Sequence, residues 1–109
     1  MNKPVVVCLC GSARFVEAFK DAQFEETMDG KIVLTIGCNM KVDKEYFSVF
    51  TDDDLKDIKK KLDELHLRKI DISDEILVLN VGGYIGDSTH NEIEYAKANN
   101  KRIRYLEKS

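Results

Sequence analysis

Four short apolar runs, separated by stretches with a helical repeat, constrain this chain more than any other feature. "PVVVCLC" is β-branched and uninterrupted, as in a strand covered on both faces. Gly11 and Ser12 end it. Phe15, Ala18, Phe19 and Ala22 then fall at i, i+3, i+4 and i+7, which predicts an amphipathic helix that Gly30 stops. "KIVLTIG" is a second strand. Cys38 to Phe50 reads as an irregular loop, with Tyr46, Phe47 and Phe50 near its end, placed to cover a pocket.

The next helix is "TDDDLKDIKKKLDELHLRKI". Thr51 is its cap, and Asp52, Asp53 and Asp54 sit at its positive end. Leu55, Ile58, Leu62 and Leu65 are its expected buried stripe, and its lysines the solvated face. "EILVLNV" is a third buried strand. A glycine loop, a helix from Ser88 to about Asn99 and the strand "RIRYLE" complete the pattern. Strands alternating with helices predict a single domain over residues 1–109 in the α/β class. The expected architecture is a Rossmann-like, flavodoxin-type three-layer fold with a four- to five-stranded, mostly parallel sheet.

In such sheets ligands bind beyond the carboxyl ends of the strands. Those ends are "CGSAR", "GCNM" and "NVGGYIGDST". In the last, Gly82, Gly83 and Gly86 permit close approach of a ligand, and the helix behind them offers free N–H groups to an anion. Ser88 and Thr89 add hydroxyls. "CGSAR" repeats the theme with Gly11, Ser12 and Arg14, the arginine being free to hold a phosphate or to lie solvated. A purely structural reading competes with this one. Thr89 to Glu92 fits the capping box S/T-x-x-E, with Tyr84 and Ile85 as loop residues covering the core. His66, one turn from Leu62 and Ile70, reads as a boundary residue of the apolar stripe, with an accessory site role as the alternative.

Composition narrows the function classes. The formal net charge is −3 and no strongly basic block appears, which disfavours nucleic-acid binding. No apolar run approaches the roughly 20 residues that span a bilayer, so no membrane association is expected. Three cysteines without a paired framework suit a reducing cytoplasm. Cys8 and Cys10 form a C-x-C without a matching second pair, and no metal is expected.

"GSAR", "SDEILVLN" and "STHNEIEYAKANNKRIRYLE", in that order, resemble the nucleoside 2-deoxyribosyltransferase superfamily, which includes deoxynucleoside 5′-monophosphate N-glycosidases. The resemblance implies that Glu92 is a nucleophile toward the anomeric carbon of a nucleoside or nucleotide. It further implies that Asp87 contacts base or sugar, and that Ser12, Arg14, Ser88 and Thr89 hold sugar hydroxyls or a 5′-phosphate. Gly11, Gly83 and Tyr84 would complete the substrate site. No metal or organic cofactor is implied. A homodimer or larger assembly is, with Tyr46, Phe47 and Phe50 as interface aromatics. The chain differs from the family pattern at Glu94, where glycine is usual, and near His66, where the family has an aspartate. Cys10 and Ser12 stand where a tyrosine is often found. These differences leave a non-catalytic nucleotide-binding module as the alternative function.

Overall fold

The computed structural model describes residues 3–108. Strand β1 is Val6–Cys10, helix α1 Val16–Met28, strand β2 Ile32–Leu34, and α2 a short helix at Lys44–Phe47. Helix α3 is Asp52–Asp71, strand β3 Glu75–Val78, helix α4 Asp87–Ala98, and strand β4 Arg102–Tyr105. The sheet is parallel throughout, in the order β2-β1-β3-β4. This is the Rossmann-like three-layer architecture. Cys8 stands opposite Ile76 and Cys10 opposite Val78 in the β1–β3 register.

β1 is buried along its whole length, and its alternation divides the core in two. Val7 and Leu9, with Leu77 and Leu79, pack on Phe19 and Ala22 of α1. Cys8 and Cys10, with Ile76 and Val78, face the opposite layer, where Ile70 of α3 and Ile93 and Ala96 of α4 close the core. The chain leaves β1 toward β2 on one side and returns to β3 on the other. The switch point therefore lies at the carboxyl ends of β1 and β3.

Local chemistry explains the helix ends. α1 stops in a Schellman arrangement: Gly30 has φ +83°, its N–H bonds Thr27 O, and the Lys31 N–H bonds Glu26 O. α3 begins at the expected cap, and Thr51 and Asp54 form a reciprocal capping box, each N–H bonding the other's side chain at 3.1 Å. Two expectations are corrected. Leu65 is 49% exposed, and the inward line of α3 runs through half-buried Leu62 to buried His66 and Ile70, at the i, i+4 spacing that follows one side of the helix. The segment after Cys38 is not wholly irregular, because it holds α2. No helix among the described residues is long and apolar enough to cross a membrane.

Candidate functional site

Beneath the switch point, on the α3–α4 face of the sheet, four ionisable side chains meet. Cys8 and Cys10 are two apart on β1, so the pleat turns both to one face. α3 lays His66 over them: the Sγ atoms of Cys8 and Cys10 each lie 3.5 Å from His66 Nε2. α4 supplies Glu92 from its second turn, with Oε1 3.9 Å from the same nitrogen. Both cysteines are fully buried, His66 is 6% exposed, and the Glu92 side chain, at 14%, is the most exposed of the four.

Their charges are interdependent. The hydrogen bond with Cys10, helped by His66 and opposed by burial, holds the Cys8 thiol down at about 5. Cys10 moves the other way: its hydrogen bond with Cys8, its burial and the charges of Cys8 and Glu92 push it well above the usual thiol range. Burial pushes Glu92 up to about 7, against the pull of His66. Burial disfavours a charged His66, but the hydrogen bond and negative charge of Cys8, with Glu92 behind them, outweigh it and raise its pKa. The shifts favour the thiolate of Cys8 and the charged form of His66, and they hold Cys10 toward its thiol and Glu92 toward its neutral carboxyl. Such a group can exchange protons, hold a cation, or present a carboxylate to a ligand.

A second group forms at the rim. Arg14 extends over the Tyr84 ring, with its guanidinium carbon 4.3 Å from the centroid, and donates from Nη2 to the Tyr84 hydroxyl at 3.1 Å. Arg14 Nε donates to Ser12 Oγ at 3.3 Å, and Phe15 meets Tyr84 edge to face. The two corners anticipated from sequence are therefore in contact, joined by one arginine.

The other anticipated residues divide. Asp87 and Ser88 are exposed in the first turn of α4, whose cap, Gly86, contributes no side chain. Thr89 is 3% exposed inside that turn. The Thr89–Glu92 capping box is not formed. Gly86 starts the helix three residues before Thr89, which places Glu92 a full turn too deep to fold back on the cap. Gly11 has a packing role: a Cβ there would come within 3.1 Å of Leu79 Cβ and 3.3 Å of its carbonyl oxygen. Gly83 has φ +80° and is open to solvent. The amides of the glycine loop are largely occupied from within: the Gly82 N–H bonds Glu107, that of Gly83 bonds Asn80 O, and that of Tyr84 bonds Val81 O. His66 is no boundary residue but the centre of the buried cluster.

Sequence reasoning set aside Cys8 and Cys10 for want of a second cysteine pair, and α3 supplies His66 in its place. The usable signal was C-x-C on a strand, which guarantees a shared face. Two surface clefts lie apart from the cluster. One, of about 820 Å³, is at the amino edge of the sheet between Lys3, Lys97 and Arg102. The other, of about 650 Å³, is beside β4 between Asn80, Tyr105 and Glu107. The larger sits at the edge opposite the switch point, so the clustered chemistry and the topology together locate the candidate site better than cleft size does. In comparisons with known proteins, no family model and no curated protein matches this chain.

Proposed function

We propose that this chain cleaves or transfers the N-glycosidic bond of a (deoxy)nucleoside or nucleoside 5′-monophosphate, with Glu92 as the nucleophile. The observation that carries the reading is the contrast between two glutamates of one helix. Glu92 turns inward at the carboxyl edge of the sheet and is 14% exposed, whereas Glu94 is 56% exposed and pairs with Lys97. An inward carboxylate at the switch point, below a rim of Ser12, Arg14 and Tyr84, suits a sugar held against the start of α4. Asp87 and Ser88 are exposed there to meet its polar groups.

In the reaction a Glu92 oxygen bonds the anomeric carbon while the bond from that carbon to the base nitrogen breaks. The departing base keeps the electron pair and takes a proton from solvent. Water then attacks the same carbon, loses its proton and frees the carboxylate, while a second base in place of water gives transfer. A second copy of the chain is the proposed macromolecular partner.

The depth of Glu92, and the position of both clefts away from it, favour one second reading, a nucleotide-binding module without turnover. The two readings separate on release of free base from deoxynucleosides and their monophosphates by wild type, Glu92→Gln and Glu94→Gln. The proposal expects release by wild type and Glu94→Gln, and none by a folded, ligand-binding Glu92→Gln. Undiminished release by Glu92→Gln would refute the nucleophile. Nucleotide binding without release by wild type would establish the binding module.

A further inference from the structure

Three polar atoms converge on one nitrogen in the buried cluster, more than that nitrogen can satisfy. His66 Nε2 has the Cys8 and Cys10 sulfurs at 3.5 Å and a Glu92 oxygen at 3.9 Å. A ring nitrogen carries either one proton or one lone pair, so it serves one such neighbour at a time. A cation placed between the four groups would bind them all at once.

The spacing fits one coordination geometry. With Zn–S near 2.3 Å and Zn–N near 2.05 Å, a tetrahedron has S···N edges of about 3.6 Å and an S···S edge of about 3.8 Å. Both S···N separations here are 3.5 Å, and the three donor atoms of Cys8, Cys10 and His66 lie within 4.8 Å of one another. An N···O edge of such a tetrahedron is about 3.4 Å. Glu92 Oε1 lies 3.9 Å from His66 Nε2 but outside the three donor atoms that sit within 4.8 Å of one another, so its side chain must swing toward the sulfurs by rotation about its χ angles to complete the shell. From these distances we infer that Cys8, Cys10, His66 and Glu92 form a four-ligand site for a divalent metal of zinc type. Two thiolates and an imidazole exclude calcium and magnesium, which take oxygen shells. The complete burial of both sulfurs gives the closed character of a structural site, with Glu92 shutting its solvent side. On binding, any proton still held on a sulfur, on His66 Nε2 or on the Glu92 carboxyl goes to solvent as that atom bonds the metal.

The site goes beyond the glycosidase reading and is mutually exclusive with it in time. A Glu92 oxygen bonded to metal is withheld from the sugar, so the metal-loaded protein loses base release and the metal-free protein performs it.

The test is titration of the metal-free, reduced protein with Co²⁺ followed by absorbance, with Zn²⁺ as competitor. The expected result is one equivalent of Co²⁺, thiolate-to-cobalt charge-transfer bands, tetrahedral visible bands, and displacement by Zn²⁺. Cys38→Ser must retain all of this, since Cys38 is exposed and outside the cluster. Cys8→Ala, Cys10→Ala and His66→Ala should each weaken binding by more than the roughly 10–100-fold that follows loss of an outer-shell partner. Glu92→Gln should weaken it at least tenfold with the circular dichroism unchanged. Absence of charge-transfer bands in wild type, a result that needs no variant to fold, would overturn the site, as would their loss in Cys38→Ser. An unchanged affinity in Glu92→Gln would overturn the four-ligand assignment. Base release by a protein that binds no Co²⁺ refutes this inference alone, while Co²⁺ binding without base release from the metal-free protein refutes the glycosidase alone.

Discussion

Arg14 and Arg104 are similar in charge but do opposite work. Arg14 is exposed, lies on Tyr84 and is tied to nothing anionic among the described residues, so its charge is available to a ligand. If a 5′-phosphate binds there, Arg14→Ala should weaken a nucleoside monophosphate more than the matching nucleoside. A hydrogen bond to a charged group contributes about 1.5–3 kcal/mol, which predicts a selective loss of roughly tenfold or more in calorimetry. Equal losses for both ligands would remove Arg14 from the phosphate site. Arg104 is committed internally. Its Nε donates to Glu75 at 2.7 Å, its Nη2 pairs with Glu26, and Lys31 joins Glu26 at 3.1 Å. Burial works against ionisation of Glu26, but the Arg104 and Lys31 hydrogen bonds outweigh it and lower its pKa. A folded pKa below the unfolded one stabilises the protein above the ordinary carboxyl range. That contribution is lost as pH falls through the folded value. Arg104→Met should therefore cost about 2–3 kcal/mol at neutral pH, between exposed and buried pairs, by removing the arginine that holds Glu26 ionised and bonds the buried Glu75. The cost should shrink in acid. A pH-independent difference between the two denaturation curves would contradict this.

Helix ends decide the element scale. The same sequence pattern, a threonine followed three residues later by an acidic residue, occurs at Thr51–Asp54 and Thr89–Glu92, yet only the first is a cap. At Thr51 the backbone is extended and the helix begins immediately after. Near Thr89 the helix has already begun, because Gly86 supplies an extended cap residue earlier. Thr51→Ser should accordingly be mild, and Thr51→Ala should cost about 0.5–2 kcal/mol in urea denaturation. Thr89→Ser keeps the hydroxyl but loses a buried methyl, and it should cost more than Thr51→Ser, on the order of 1 kcal/mol. The reverse order would restore the capping-box reading of Thr89. At the far end of α4, Asn100 holds φ +59° in the position that Gly30 fills after α1. The two helices thus stop by the same left-handed turn with different residues.

At the scale of the molecule, the surface around α2 carries more exposed apolar area than a solvated loop needs. Tyr46 is 79% exposed, Val49 80%, Val42 56% and Phe50 42%. Aromatic and aliphatic groups clustered on one projection suit a symmetric interface. The expected result is a dimer mass by light scattering at tens of micromolar, reduced to monomer by Val49→Asp with the circular dichroism unchanged. A monomeric wild type would sink it. Sequence alone determined the layers of this fold. Strand runs such as "PVVVCLC" have no polar position to expose, and the repeat at Phe15, Ala18, Phe19 and Ala22 has only one apolar face, so hydrophobic periodicity leaves little choice. It also located the carboxyl edge of the sheet and the two glycine corners, since both follow from where strands end. It did not determine the buried cluster. Cys8 and Cys10 are fixed on one face by strand period, but that face is shared with α3 and α4 only because β3 pairs with β1 and not with β2. His66 lies 56 residues from Cys10, and no local pattern records that separation. The stripe of α3 was misjudged at Leu65 for the same reason. Local hydropathy favours a leucine over a histidine as the buried residue. The tertiary packing reverses the choice, because two thiols in the core give an imidazole hydrogen-bonding partners there, with the Glu92 carboxyl 3.9 Å away.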